Sequence, residues 1–157
     1  MFELLILETF QARLNWITIL NKRDNFREAF FNFDVDKIAQ MDEDDIAYLM
    51  QNAGIIRNRQ KIRAALHNAH MLKGVHDRDK RLVEILWSYL DGKPLDMKRT
   101  SIEELPAVKA LSVKIFEDLK KLGFKSIGPK TVYAHMQASG KVNDHLVSCP
   151  AYDDCLE

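Results

Sequence analysis

A chain of 157 residues, 46% hydrophobic and 29% charged, is long enough to bury a core without disulfides and has the composition of an ordinary folded, soluble protein. Lysine plus arginine equals aspartate plus glutamate at 23 each, so no global field points to a polyanionic partner, although a local basic face on a neutral chain still can. The opening "MFELLILETF" is apolar but holds Glu3 and Glu8, and it lacks a basic leader and a cleavage site. It reads as neither a signal peptide nor a membrane span, so the expected location is the cytoplasm with no membrane partner.

In chain order, most apolar runs repeat every three to four residues, and with only 6 glycines and 4 prolines the pattern predicts an all-α fold. "FELLILETFQ" is apolar nearly all round, as a central buried helix is. "WITILNKR" resumes the helical period after "ARLN", and "DNFREAFFNF" follows with Asp24 as its expected N-cap. "FDVDKIAQ" and "MDEDDIAYLMQNAG" read as two short helices capped by Asp34 and Asp42, the second closing at Gly54. "RNRQKIRAALHNAHMLKG" predicts a longer helix closed by Gly74, and "RLVEILWSYLDG" another stopped by Gly92 and Pro94. Pro106 is expected to divide a capped turn from a helix running through Lys121. No repeat, low-complexity tract or linker interrupts the chain. One domain over 1–157, a multi-helix bundle of about eight to ten helices, is expected.

The stretch 116–139 predicts a hairpin of two helices. Gly123 ends the first helix, Gly128 and Pro129 open the second, and Leu119, Leu122, Ile127 and Val132 pack about the turn. Backbone amides at such a turn and helix N-terminus can receive a phosphate, with Lys120, Lys121, Lys125 and Lys130 adding charge. The same spacing also suits a plain αα-hairpin with solvated lysines. Arg57, Arg59, Lys61 and Arg63 read as a solvated helix face, with a second phosphate contact as the alternative. His145 and Cys149 stand at i,i+4, a spacing that puts two metal ligands on one helical face. Cys149 and Cys155 are read as reduced thiols or a ligand rather than a disulfide.

Five segments taken together, "LETFQARLNWITILNKRDNFREAF", "AGIIRNRQKIRAALHNA", "LWSYL", "LKKLGFKSIGPKTVYAHMQASGKVNDH" and "LVSC", resemble the 3-methyladenine DNA glycosylase I family. That family is a branch of the helix-hairpin-helix base-excision enzymes, and the segments are in family order over nearly the whole chain. The resemblance implies hydrolysis of the N-glycosidic bond of a 3-methylated adenine flipped out of double-stranded DNA, by a bacterial-type, nucleoid-associated monomer without a redox or nucleotide cofactor. It implies a base-binding pair, Glu8 at the adenine edge and Trp16 stacking on the ring, with Glu8 also the catalytic candidate. It makes Gly123, Lys125, Gly128 and Lys130 a helix-hairpin-helix clamp on the DNA backbone.

Leu14 takes the place of the side chain that fills the gap left by the flipped base. The family carries Gly-Leu-Ser there and this chain Arg13-Leu14-Asn15. A left-handed turn is costlier for a residue other than glycine, which leaves the wedge geometry open, and Arg13 can instead reach a phosphate. Taken alone, Trp16 and Leu14 would be core residues; a lone carboxylate on an apolar helix, as at Glu8, needs a partner or a wet cavity.

Most helix-hairpin-helix glycosylases place an aspartate where this chain has Asn143. The resembled family also lacks it, and a cationic 3-methylated base is already a good leaving group. Asp144 is expected to cap or support. The resemblance further makes His145 and Cys149 half of a structural zinc site whose other half, a cysteine and a histidine, lies in a family N-terminal segment absent before Met1. Within this chain, Cys155 is the candidate third ligand, with Asp153, Asp154 or water as a fourth. A non-catalytic DNA-binding homologue and a bare helical scaffold are the rival readings.

Overall fold

The first helix is apolar on every side, and that decides the architecture. In a computed structural model of the chain, which describes residues 1–73, 78–104 and 110–155, α1 (Phe2–Gln11) runs through the middle and packs against α2 (Trp16–Leu20), α6 (Arg59–Leu72) and α9 (Pro129–Ala138). Phe2, Leu5, Ile6, Leu7 and Phe10 of α1 are all buried, so side chains on every face exchange water for protein. Around it stand α3 (Arg23–Ala29), α4 (Val35–Ile38), α5 (Glu43–Leu49), α7 (Arg78–Trp87) and α8 (Ala110–Lys121). The described residues therefore hold nine α-helices, as the periodicity predicts.

One flank of the core is a file of aromatic rings. Phe10 meets Phe26 at 4.8 Å, Phe26 meets Phe30 at 6.0 Å, and Phe30 stacks on Phe33 at 5.8 Å. To reach that last stack the chain leaves the helix at Ala29 and turns through Phe31, Asn32 and Phe33, all at positive φ. "DNFREAFFNF" is thus a helix followed by a left-handed turn, where a single helix was expected.

Asp34 and Asp42 cap α4 and α5 as predicted, Asp42 in a reciprocal pair with Asp45. Asp24 does not cap α3. Lys22 holds the N-cap position and Asp24 sits in the first turn, where its charge still suits the helix dipole. Gly54 is not a C′ residue: α5 ends at Leu49, and Gly54 lies in a later turn whose amide bonds to Asn52. Gly92 falls in a left-handed turn after α7, while Gly74 and Pro106 lie outside the described residues.

The all-α expectation needs one addition. β1 (Leu95–Asp96) and β2 (Val142–Asn143) form a two-stranded parallel sheet, with Leu95 opposite Val142 and Asp96 opposite Asn143. Two residues a side are too few to show alternation in a sequence. No helix among the described residues is long and apolar enough to cross a membrane.

Candidate active site and neighbouring turns

α1 ends in a tight turn that sets up the site. The Leu14 amide donates to the Gln11 carbonyl at 2.7 Å, and the Gln11 side chain returns a bond to the Leu14 carbonyl. Asn15 then caps α2 by accepting from the Ile17 amide. Lys61 reaches over from α6 and donates to the carbonyls of Phe10 and Ala12, at 2.9 and 3.0 Å, satisfying groups that the end of α1 leaves open. Burial and the neighbouring Arg13 hold the Lys61 ammonium below its ordinary range.

This break brings Glu8 and Trp16 together. Both line one cleft of 380 Å³, with Gln11 beside them and Ala134, Gln137 and Ala138 of α9 opposite. Trp16 is half-buried, its ring shared between core and cleft. Glu8 is only 5% exposed, and its carboxylate has no hydrogen-bond partner among the described residues. Desolvation pushes its pKa up to about 7. The cleft therefore offers an aromatic face beside a carboxyl group that lacks a donor or a cation.

Arg13, at the point of the turn, has φ 73. The left-handed turn expected to be costly without glycine is nonetheless formed, and Leu14 beside it is 38% exposed. With Ile17 and Leu20, 54% and 40% exposed, Leu14 makes an apolar edge next to the cleft mouth.

The α8–α9 hairpin follows the predicted plan with one exception. Gly123 ends α8 at φ 93, where a Cβ would sit 2.9 Å from the Met71 sulfur. Gly128 is the N-cap of α9, with Pro129 at N1 and no capping side chain, so the first-turn amides of α9 lack partners within the helix. Lys125 and Lys130 are exposed on either side of the turn. Leu119 and Val132 are buried, but Leu122 is 41% exposed and takes no part in the packing. The turn is fastened to α6: Asn68 accepts from the Lys125 amide at 2.8 Å and donates to its carbonyl at 3.0 Å, while His67 meets the Gly123 carbonyl at 2.9 Å.

The Asn143–His145 cluster has a structural role. Asn143 is buried; it donates to the Tyr152 carbonyl and accepts from the His145 amide. Asp144 is not an N-cap. It is paired with Arg99 at 3.1 Å and accepts from the Tyr133 hydroxyl and from Gln137 at 2.9 Å. Burial alone would raise its pKa, but those three donors outweigh it and hold the carboxyl below its usual range. An aspartate held ionised by three donors is a weak general base.

His145 and Cys149 meet, though in a turn and not on a helix. Cys149 Sγ lies 3.5 Å from His145 Nδ1. Two ligands of one tetrahedral zinc stand about 3.5 Å apart, so the pair fits half of such a site. Among the described residues no group of three or more His, Cys, Asp and Glu is placed to hold a metal, so Cys155, Asp153 and Asp154 do not complete it.

Sequence reasoning did not single out Gln11, Gln137 or Asn68. For Gln137 a signal existed: Ala134, Gln137 and Ala138 form a small and polar stripe on a helix otherwise packed with Val132, Tyr133 and Met136.

Comparison with known proteins places this geometry. The methyladenine glycosylase family signature matches residues 1–152. The DNA-3-methyladenine glycosylase 1 of Escherichia coli (strain K12) is 41% identical over 152 residues, covering 97% of this chain and 81% of that protein. The DNA-3-methyladenine glycosylase of Haemophilus influenzae is 41% identical over 150 residues, with 96% and 81% covered. A crystal structure of 3-methyladenine DNA glycosylase I matches with a TM-score of 0.91 at 40% identity, over 96% of this chain and 83% of that one. A single-residue variant of such an enzyme in complex with 3-methyladenine matches with a TM-score of 0.90 at 36% identity, over 96% and 81%. A five-segment resemblance, a central apolar helix and a carboxyl–tryptophan cleft thus converge, and the chain belongs to the methyladenine glycosylase family.

Proposed function

We propose that the chain is a DNA glycosylase that hydrolyses the N-glycosidic bond of 3-methyladenine in alkylated double-stranded DNA. The observation that carries this reading is the buried Glu8 carboxyl, without a hydrogen-bond partner among the described residues, in the same cleft as Trp16. Methylation at N3 makes the base cationic, so it supplies both things the cleft lacks. Its charge favours ionised Glu8, and its exocyclic amino group donates to the carboxylate, a charge-assisted bond worth about 1.5–3 kcal/mol. Trp16 stacks on the ring. Neutral adenine offers the donor without the charge and leaves the desolvated carboxyl uncompensated.

The reaction needs little acid–base help. Water adds to C1′, the C1′–N9 bond breaks, and its electron pair neutralises the departing base. The proton left by water goes to solvent, and the products are 3-methyladenine and an abasic site. Holding base and water in place in a desolvated cleft supplies the rate, and Glu8 is the residue that touches the reacting base.

In this reading Leu14 fills the space of the flipped base. The hairpin is a helix-hairpin-helix clamp in which Gly123, Lys125, Gly128 and Lys130 position one strand's phosphates. The protein acts as a monomer in the cytoplasm, at the nucleoid. His145 and Cys149 serve as two ligands of a structural zinc; one equivalent by elemental analysis supports this, and none removes it.

The test is release of free 3-methyladenine from methylated duplex DNA. The unaltered chain is expected to release it, and Glu8→Gln to do so roughly 10- to 100-fold more slowly, as loss of one charge-assisted bond requires. No release by the unaltered chain sinks the reading.

A further inference from the structure

Beside the hairpin, on the face of α6 next to its two anchoring points, runs a groove of 790 Å³. Arg59, Arg63 and His67 line it at four-residue spacing, and Lys125 and Ser126 of the hairpin turn close its end. We infer that this groove is a second phosphate track for a DNA duplex, continuing from the hairpin clamp at Lys125 along Arg63 and Arg59. The inference rests on the glycosylase reading above for the presence of DNA, and adds Arg59, Arg63 and His67, which that reading does not use.

Position is the first argument. Lys61 ties α6 to the Leu14 turn and Asn68 ties it to the hairpin turn, seven residues and about 10 Å further along the helix. A duplex that touches both turns must therefore pass over α6, and the groove of Arg59, Arg63 and His67 opens beside that path at its hairpin end, where Lys125 lines both. Phosphates recur at about 7 Å along a strand, so arginines one helical turn apart meet neighbouring ones.

Charge is the second argument. The chain is neutral overall, yet the groove gathers Arg59, Arg63 and Lys125, the two arginines paired with Glu43 from the acidic first turn of α5. Glu43 grips Arg63 through Nε and Nη2 at 2.9 and 2.7 Å and stands 3.5 Å from Arg59 Nη1. That grip holds the Arg63 fork in one orientation while its Nη1 stays outside the pair. All three of these side chains are exposed, so the pairing contributes little to stability. It engages part of the charge of both guanidinium groups and leaves the remaining donors of each fork open to phosphate oxygens.

Binding of a short fluorescent duplex without a lesion, measured against salt concentration, tests the track independently of catalysis. Arg59→Gln/Arg63→Gln is expected to weaken binding about tenfold near physiological salt and to lower the salt slope by about 2. Glu43→Gln removes the same ion pairs but also the only negative charge in them, and is expected to tighten binding several-fold. A folding defect cannot produce opposite signs from the two variants. Unchanged affinity and slope in the double variant, or weakened binding in Glu43→Gln, overturns the track. Lys130→Gln reports on the hairpin: a lowered slope there with none in the arginine variant leaves the clamp standing and removes only the track. No change in either removes both.

Discussion

Glu8 is held neutral by its surroundings, and that couples stability and activity with opposite signs. Its pKa is pushed up to about 7 from an ordinary value of 4.5, because burial disfavours the charged form. Between those two values the folded chain keeps a proton that the unfolded chain has released. Stability from this group is therefore full below pH 4.5 and lost as pH rises through about 7, where the loss amounts to about 3 kcal/mol. Glu8→Gln does not titrate, so it is expected to melt several degrees above the unaltered chain at pH 8 and to show no such advantage at pH 4.5. If the ionised carboxylate receives the cationic base, release of 3-methyladenine rises with pH over the same interval and stays flat in the variant. A melting difference independent of pH would show that Glu8 is not buried uncharged.

Among the elements, the α1–α2 turn combines strain and exposure. Arg13 at φ 73 lies in a region that costs a residue with a Cβ about 1–2 kcal/mol. Arg13→Gly is expected to raise stability by about 1 kcal/mol and the melting temperature by about 2–4 °C, while Arg13→Ala, which keeps its Cβ, does neither. Equal melting of the two variants would place the strain elsewhere. That turn also shows what a sequence can announce. Helices came through where periodicity was long or a cap was chemical, as in α1, α6, Asp34, Asp42 and the Gly123–Pro129 hairpin. The left-handed path at Phe31–Phe33 did not, because it serves the stacking of Phe33 on Phe30, and at Arg13 only the resemblance pointed to such a turn. Likewise, Glu8 and Trp16 were legible only through the resemblance, while Gln137 and Asn68 depend on contacts distant in sequence and stayed silent.

Across the molecule, the stretch from β2 to Tyr152 is fastened to the body through two carboxylates, Asp96 and Asp144. β2 pairs with β1, Tyr152 donates to Asp96 at 2.8 Å, and Asp144 joins Arg99 of the segment after β1 to Tyr133 and Gln137 of α9. Gln137 also lines the Glu8 cleft, so this network holds the α9 wall of the site in place. The side chains of Arg99 and Asp144 are only 12% and 7% exposed, and Arg99 Nη2 is already buried without a partner. Removing the carboxylate alone leaves a buried cation uncompensated, so Asp144→Ala is expected to cost about 3–5 kcal/mol in denaturant unfolding. Replacing both, as in Arg99→Met/Asp144→Leu, removes the stranded charge and should cost clearly less than the single change. Additive losses would mean that Asp144 acts through Tyr133 and Gln137 and not through Arg99. In that case the cleft wall would loosen while the Arg99 segment stayed docked, which base release by Arg99→Met at a rate close to the unaltered chain would show.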